Sequence, residues 1–450
     1  MRRHRGPTPA AVVAILVVIA LNVAPPAACA LTPPAVDNGL LPAASAPRPP
    51  RATVQVETCF APAAPGTAVS PSAGLGLDAL WSLTRGEGQR VAVIDTGVAR
   101  HARLGPVEAG GDYVSIGDGT QDCDGHGTVV AGIISAAPDL DDTTGFAGVA
   151  PAVTLLSIRQ SSTKFGPADE PSSAGFGDVL TMAMAVRTAA DLGATVINIS
   201  SIACASGSLD DGALGAALAY AVDTKDAVVV AAAGNVGGPG SCPRQPHDLE
   251  LTWETATVAA SPGWYDDYVL TVGSVGPDGS PSDFSLPGPW VDVAAPGEHV
   301  VSLNPAGPGV VDTMPSFGRQ LPISGTSYAA PVVSGVAALI RSRFPELTAR
   351  QVMQRIEMTA RPVGGGWNPV AGNGVVDPAA AMSTEAPSSH PAPPSPTAVA
   401  APSELPPTQD PAVSIALIGT GVCAALLAGV GLIARSRRPH REGIVGRQGR

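Results

Sequence analysis

Basic residues are scarce in this 450-residue sequence, in which 26 Lys and Arg stand against 38 Asp and Glu. The formal net charge is therefore -12 at pH 7, and no basic stripe is visible. Proteins that bind nucleic acids usually present such a stripe to the phosphate backbone. We therefore expect no nucleic-acid partner.

Metal-binding patterns are also missing, because the sequence has no Cys-X-X-Cys pair and no cluster among its 7 histidines. We therefore expect neither a metal ion nor another cofactor. Of the 6 cysteines, Cys29 and Cys423 lie in the two apolar end segments described below. The others, at positions 59, 123, 204 and 242, can pair in three ways, and outside the cytoplasm disulfides are their expected state.

The first 30 residues have the parts of an export signal: the basic start MRRHR, the apolar run AVVAILVVIALNVA, and small residues around a cleavage point in AACA. Cleavage there would start the mature chain near Leu31. The alternative is a lipoprotein signal in which Cys29 is lipid-modified. Pro26 argues against it, because such a signal has a larger aliphatic residue at that position.

The C-terminal end predicts a membrane anchor. Residues 412–434 are apolar, uncharged and long enough to cross a bilayer, and the arginine-rich tail 435–450 indicates a cytoplasmic C-terminus. The preceding segment 383–411 is rich in proline, serine and alanine, which is typical of an extended linker. The competing interpretation is a sortase-type sorting signal at 405–409. Gln409 argues against it, because such a signal has glycine at that position.

Between an N-terminal extension (31–73) and the linker, residues 74–382 alternate short apolar runs with amphipathic ones. This alternation predicts an α/β domain with a parallel sheet covered by helices, and the strands are apolar and β-branched as buried strands are. The predicted strands span residues 90–95, 153–158, 194–200, 226–233, 268–275 and 291–296. The predicted helices span residues 126–137, 176–192, 210–223, 327–343 and 348–359, the last with a capping box at Thr348 and Gln351.

Four polar residues stand where such a domain would keep a site. Asp95 ends the strand in VAVIDTGV, and His126 lies between two glycines before the apolar helix in DGHGTVVAGII. Asn235 ends the buried run AAAGN, and Ser327 begins a helix of small residues in SGTSYAAPVVSGVAAL. Taken singly, each has a plain alternative: a turn residue, an ordinary surface or core histidine, or an N-cap serine.

Together the four supply the parts of nucleophilic catalysis. A serine hydroxyl needs a base to take its proton, and the imidazole needs a carboxylate to hold its tautomer. The tetrahedral intermediate needs donors such as a serine N–H and an asparagine amide. Their order along the chain (Asp, His, Asn, Ser) excludes the chymotrypsin order (His, Asp, Ser) and the α/β-hydrolase order (Ser, Asp, His).

These four blocks resemble, in order and separation, those of the subtilisin-like (peptidase S8) serine proteases across residues 74–382. The resemblance implies a doubly wound, mostly parallel sheet with helices on both faces. It also implies a role for each residue. Asp95 would orient and stabilise the imidazole, His126 would act as general base and then acid, Ser327 as nucleophile, and Asn235 as oxyanion donor.

The segments at the two ends of the chain narrow the resemblance to one group within this family. An export signal, a short extension, a subtilase body, a proline-rich linker, one membrane helix and a basic tail are similar to the mycosins, the membrane-anchored proteases of bacterial type VII secretion systems. This implies a single-pass protein of the cell membrane that cleaves a protein substrate on the outer face and joins the secretion membrane complex. Two alternatives stay open: a scaffold of that complex with dispensable catalysis, and a general cell-surface subtilase.

The resemblance also places the pocket for the residue before the cut. In subtilases its walls are the strand that follows INIS and the strand before Asn235, so Ser200, Ser201, Ala232 and Gly234 are candidate substrate-binding residues. The stretch SSIA (200–203) stands where subtilisins have SLGG-like residues, which leaves the specificity open.

Two disulfides are predicted from these positions. Cys204 follows one wall of the pocket and Cys242 the other, so a bond between them would tie the walls together. Cys59 lies in the extension, and we hypothesise that it pairs with Cys123 and holds the extension against the body close to His126.

Overall fold

The structure is a computed structural model that describes residues 31–384, apart from 62–65, 69, 71–73, 140, 142, 171, 173–174, 239–240, 246–249 and 317–318. These residues belong to the first of two units into which the chain divides, residues 1–389. The predicted signal, membrane span and basic tail lie outside the described residues, as does all but the first two residues of the predicted linker. Within the described part, no helix combines the length and apolar character needed to cross a bilayer.

Seven parallel strands form the central sheet, in the order β7-β6-β5-β4-β1-β3-β2. Numbered along the chain, these strands are β1 Arg90–Asp95, β2 Val107–Asp112, β3 Thr154–Arg159, β4 Val196–Ile199, β5 Val228–Ala232, β6 Leu270–Val275 and β7 Val293–Pro296. The next two strands lie on one side of β1, with β3 between β1 and the edge strand β2, and the strands from β4 onward extend the sheet on the other side. The order reverses between β1 and β4, and open α/β sheets bind ligands at the carboxyl ends of the strands at such a reversal.

Six of these strands fall within one or two residues of the predicted bounds, and β1 matches its predicted bounds. Strand β2 was not predicted. Its sequence, VEAGGD, contains a glutamate and two glycines, so it has no apolar run. Because β2 is an edge strand with one neighbour, only part of it is buried, and the pattern expected of a central strand is absent.

Seven α-helices accompany the sheet in the described part. They are α1 Leu77–Trp81, α2 His126–Ser135, α3 Val179–Asp191, α4 Gly212–Ala219, α5 Thr326–Arg343, α6 Ala349–Thr359 and α7 Pro378–Ala381. The predicted capping box of α6 is confirmed, because the side chains of Thr348 and Gln351 cap each other's backbone N–H groups. The predicted helix 210–223 is split, since α4 gives way to a π-helical turn at Tyr220–Thr224.

Helix α5 packs on α2 and on five of the central strands, β1 and β4 to β7. Its sequence is small and apolar around the whole circumference, which suits a helix enclosed on all sides. From Thr326 to Ile340, every residue of α5 is buried except Ser327.

The N-terminal extension lies along the surface of the body. Its strand Thr53–Gln55 pairs antiparallel with Phe165–Pro167, and the backbone N–H of Phe60 donates to the carbonyl of Cys123 over 2.7 Å. The predicted Cys59–Cys123 disulfide is present in the structure.

The remaining small two-stranded sheets pair Ala203–Ala205 with Ala259–Ser261, Ser302–Leu303 with Val310–Val311, and Thr313–Ser316 with Arg319–Pro322.

Candidate active site

Asp95 and His126 form a hydrogen-bonded pair at the carboxyl end of β1. Asp95 is 1% exposed, and its Oδ1 lies 2.7 Å from Nδ1 of His126 and accepts a second hydrogen bond from the N–H of Thr96 at 2.7 Å. An aspartate acceptor at Nδ1 places the proton of a neutral imidazole there and leaves Nε2 able to accept. The geometry therefore provides the tautomer that a general base needs.

The carboxylates around His126 strengthen it as a base. Burial of the ring lowers the pKa of His126, but the charge and hydrogen bond of Asp95 act in the opposite direction, and the net pKa lies above the ordinary 6.5. The nearby Asp122 and Asp124 carboxylates also raise it.

Asp122 holds the loop that carries His126, a role that the sequence analysis missed. Its Oδ1 accepts from Thr96 Oγ1 at 2.8 Å and from the N–H of Gly125 at 2.7 Å. Its Oδ2 accepts from the N–H and the hydroxyl of Thr128 at 2.8 and 2.7 Å. Burial raises the pKa of Asp122 to about 6. The only sequence signal was its place four residues before His126.

Ser327 is presented by the first turn of α5. The N-cap of this helix is Gly325 and there is no side-chain cap, so the alternative of an N-cap serine does not apply. The ring of the adjacent Tyr328 lies 5.2 Å from the His126 ring between centroids, which brings the start of α5 beside the imidazole. The described residues show no hydrogen bond between His126 Nε2 and Ser327 Oγ. Such contacts often tighten only when substrate binds.

Asn235 is oriented by Thr326, the residue before the serine. Its Oδ1 accepts from the N–H of Thr326 at 3.0 Å and from the Thr326 hydroxyl at 3.2 Å. The Thr326 oxygen in turn accepts from the N–H of Gly234 at 3.1 Å. With Oδ1 fixed in this way, Nδ2 has no partner among the described residues and can donate to a ligand. Thr326 was not singled out from the sequence.

Ser200 is hydrogen-bonded to the backbone of Ser327 in the first turn of α5. Its hydroxyl donates to the carbonyl of Ser327 at 2.8 Å and accepts from Asn198 Nδ2 at 2.9 Å. Oδ1 of Asn198 accepts from the hydroxyl of Ser334, which lies further along α5, at 2.8 Å. A chain of hydroxyl and amide groups therefore fixes the start of α5 against the end of β4.

The other candidate substrate-binding residues lie near this position. Ala232 is the buried last residue of β5, and Gly234 directly precedes Asn235. Ser201 lines a cavity of about 250 Å³ together with Ile202 and other residues: Gln160, Ser161, Gly177, Asp178, Val179, Met182, Ala203, Leu214 and Ser261.

The second predicted disulfide, Cys204–Cys242, is also present, with Cα atoms 5.5 Å apart. In the part of the chain that the structure describes, no group of three or more His, Cys, Asp and Glu side chains is arranged to hold a metal ion.

A family model for the subtilases (peptidase S8) matches residues 86–374 of the chain. The chain belongs to the subtilase family. It is a serine protease of the mycosin type. Mycosin-4 of Mycobacterium tuberculosis is 58% identical over 434 residues, which cover 94% of this chain and 95% of the relative. Mycosin-3 of the same organism is 42% identical over 93% of this chain and 96% of the relative.

Solved structures agree with this assignment. The MycP3 protease from the type VII (ESX-3) secretion system superposes with a TM-score of 0.73 at 44% identity, covering 79% of this chain and all of that one. A chain in the intact ESX-5 inner membrane complex gives a TM-score of 0.73 at 39% identity, covering 90% of this chain and 100% of its own length. The fold is therefore the subtilisin-like α/β fold, as the sequence analysis predicts.

Proposed function

We propose that this mycosin-type subtilase is an endopeptidase in which Asp95, His126 and Ser327 form the catalytic triad and Asn235 stabilises the oxyanion. The observation that carries the proposal is the 2.7 Å Asp95–His126 pair, whose imidazole ring lies 5.2 Å from the ring of Tyr328, the residue that follows Ser327.

In the proposed mechanism, His126 Nε2 takes the proton of Ser327 Oγ while the oxygen attacks the scissile carbonyl carbon. Asp95 stabilises the imidazolium that forms. The carbonyl oxygen becomes an oxyanion that accepts from Asn235 Nδ2 and from the N–H of Ser327, one of the first-turn N–H groups that have no partner inside a helix. The imidazolium protonates the leaving amine, and water then attacks the acyl-enzyme, with His126 again as base.

Labelling with a small fluorophosphonate tests this chemistry on the purified full chain. We expect one adduct, mapped by mass spectrometry to Ser327, and strong loss of labelling in His126→Ala. Ser342→Ala is the matched control, because Ser342 lies on the same helix and hydrogen-bonds to the carbonyl of Glu87. An adduct elsewhere, or unchanged labelling in His126→Ala, would contradict the proposal.

We further propose that the catalytic body lies outside the cytoplasmic membrane, anchored by residues 412–434, and that it joins a type VII secretion membrane complex and acts on a secreted protein. The likeness to a chain solved within the ESX-5 inner membrane complex supports this. A chain that ends after residue 384 should leave the membrane fraction and should no longer co-migrate with the complex on native gels. Retention of the shortened chain in the membrane would refute the proposed anchor.

A scaffold role is the second candidate, favoured by the same likeness because it extends over 90% of this chain. The two roles differ in one comparison. If proteolysis matters for secretion, Ser327→Ala reproduces the secretion defect of a deletion. If the chain acts as a scaffold, Ser327→Ala restores secretion to the deletion strain. A general surface subtilase would instead cleave many unrelated peptides and leave secretion unchanged when deleted.

A further inference from the structure

Leu31, the residue that follows the predicted signal cleavage, is packed onto the body. Its side chain is partly buried against the main hydrophobic core, as are those of Leu251 and Trp253. The backbone N–H of Leu31 donates to the carbonyl of Ala256 over 3.4 Å. Chain ends are usually loose unless specific contacts hold them. Cleavage before Leu31 would therefore create a chain end that is already held against the segment 250–258.

The carbonyl of Ala256 needs this donor. Ala256 is 1% exposed, and a buried acceptor that loses its partner destabilises the structure around it. The other polar groups of the turn are used within it. The N–H of Ala256 donates to the carbonyl of Thr252 over 3.0 Å, and the hydroxyl of Thr255 donates to the carbonyl of Glu250 over 2.6 Å. Leu31 supplies a donor from outside the turn.

Signal cleavage would change the charge of this donor. Hydrolysis of the Ala30–Leu31 bond consumes one water, leaves a carboxylate on Ala30 and turns the Leu31 nitrogen into an α-ammonium. Residues 245–258 contain three acidic side chains and no Lys or Arg, and residues 31–47 contain no Lys or Arg either. The ammonium supplies the positive charge that these side chains lack, and a hydrogen bond from a charged donor is about twice as strong as a neutral one.

The segment 250–258 is connected to the oxyanion half of the site. The N–H of Thr257 donates to Oε1 of the buried Gln245 over 2.9 Å. Shortly before Gln245, the N–H of Cys242 donates to the carbonyl of Asn235 over 2.8 Å. Loosening the segment 250–258 would therefore loosen the backbone that positions Asn235.

We propose that Leu251, Trp253 and Ala256 form a docking site for the N-terminus of the mature chain, and that the α-ammonium of Leu31 binds there after signal cleavage and orders the oxyanion half of the site. This inference rests on the proposed function and adds a control of the same site by maturation. The chain reaches its full activity only when Leu31 is its first residue.

The position of the mature N-terminus is the first test. Mass spectrometry of the purified full chain should find Leu31 as the first residue. A chain that begins at another residue, including a lipid-modified Cys29, would overturn the inference because the ammonium would then not lie at the docking site.

A Gly-Ser insertion between Ala30 and Leu31 tests the role of the charge. Cleavage still follows Ala30, and Leu31 keeps its side chain and its N–H, but the ammonium moves two residues away. Hydrogen–deuterium exchange of residues 250–258 should become about tenfold faster, and labelling of Ser327 by the small fluorophosphonate should slow several-fold. Leu31→Met, the matched control, keeps both the ammonium and an apolar side chain and should behave like the wild type.

If the insertion prevents export or cleavage, Leu31→Ser replaces it. This variant keeps the ammonium but loses the apolar contact, and it should also exchange faster in residues 250–258. Unchanged exchange in a correctly cleaved variant would overturn the docking site, and faster exchange with unchanged labelling would overturn its control of the active site. Failure of the small probe on the wild type would instead refute the proposed function, whereas the exchange measurement would still test the docking site.

Discussion

The two halves of the site are held by opposite kinds of groups. Around His126, the holding groups are carboxylates: Asp95 bonds the ring, and Asp122 bonds the loop that carries it. Around Ser327, the groups are neutral hydroxyls and amides, from Thr326, Asn235 and Ser200. The difference matches the charge that each half would develop, since an imidazolium is stabilised by carboxylates and an oxyanion by uncharged donors.

The largest expected effect comes from neutralising Asp95, the carboxylate that is hydrogen-bonded to His126. Asp95→Asn keeps the size of the side chain but removes the charge and offers the wrong hydrogen-bond pattern to Nδ1, so kcat should fall about 10⁴-fold. The measurement is hydrolysis of a fluorogenic peptide. Asp124→Asn, which changes a nearby carboxylate that bonds Ser162 and Thr163, is the control and should lose far less. Equal losses would mean that Asp95 has no special role.

A smaller effect should follow from removing the side-chain amide of Asn235, the proposed oxyanion donor. Asn235→Ala leaves the triad in place but deletes one oxyanion donor, so kcat should fall about 10²–10³-fold with KM little changed. The same peptide assay separates kcat from KM. A loss confined to KM would show that Asn235 binds substrate without stabilising the transition state.

The smallest of these effects should come from Thr326, a buried residue whose N–H and hydroxyl both donate to Asn235 Oδ1. Thr326→Val keeps the shape of this fully buried side chain and removes the hydroxyl, which leaves the N–H of Gly234 without its acceptor. Loss of one such hydrogen bond weakens the transition-state contact about tenfold in kcat. Thr326→Ser should restore most of the rate, and no rescue by serine would argue for a packing role.

The residues proposed to react were easier to predict from the sequence than the residues that hold them in place. Asp95, His126, Asn235 and Ser327 stand at recognisable ends of strands and starts of helices, so their blocks could be read directly. The contact between Ser200 and Ser327 joins residues 127 positions apart, and no local pattern predicts such a bond.

The same limit applies to the fold and to the pocket. The central strands were visible as apolar runs, whereas the edge strand β2 was not, because its exposed side tolerates polar residues and glycine. The side chain of Ile202 reaches across to Gly234, where a methyl group added to the glycine would lie 2.8 Å from Cδ1 of Ile202. Sequence shows that an isoleucine is present but not which residue it contacts.

The pH dependence of Ser327 labelling by the small fluorophosphonate, compared between the wild type and Asp95→Asn, tests the central claim most directly. Only neutral His126 can act as base, and Asp95 raises its pKa, so the wild-type rate should rise with pH through a midpoint above 6.5. In Asp95→Asn the burial of the ring is no longer offset by Asp95, so the midpoint should move to lower pH. An identical midpoint in both proteins would contradict the account.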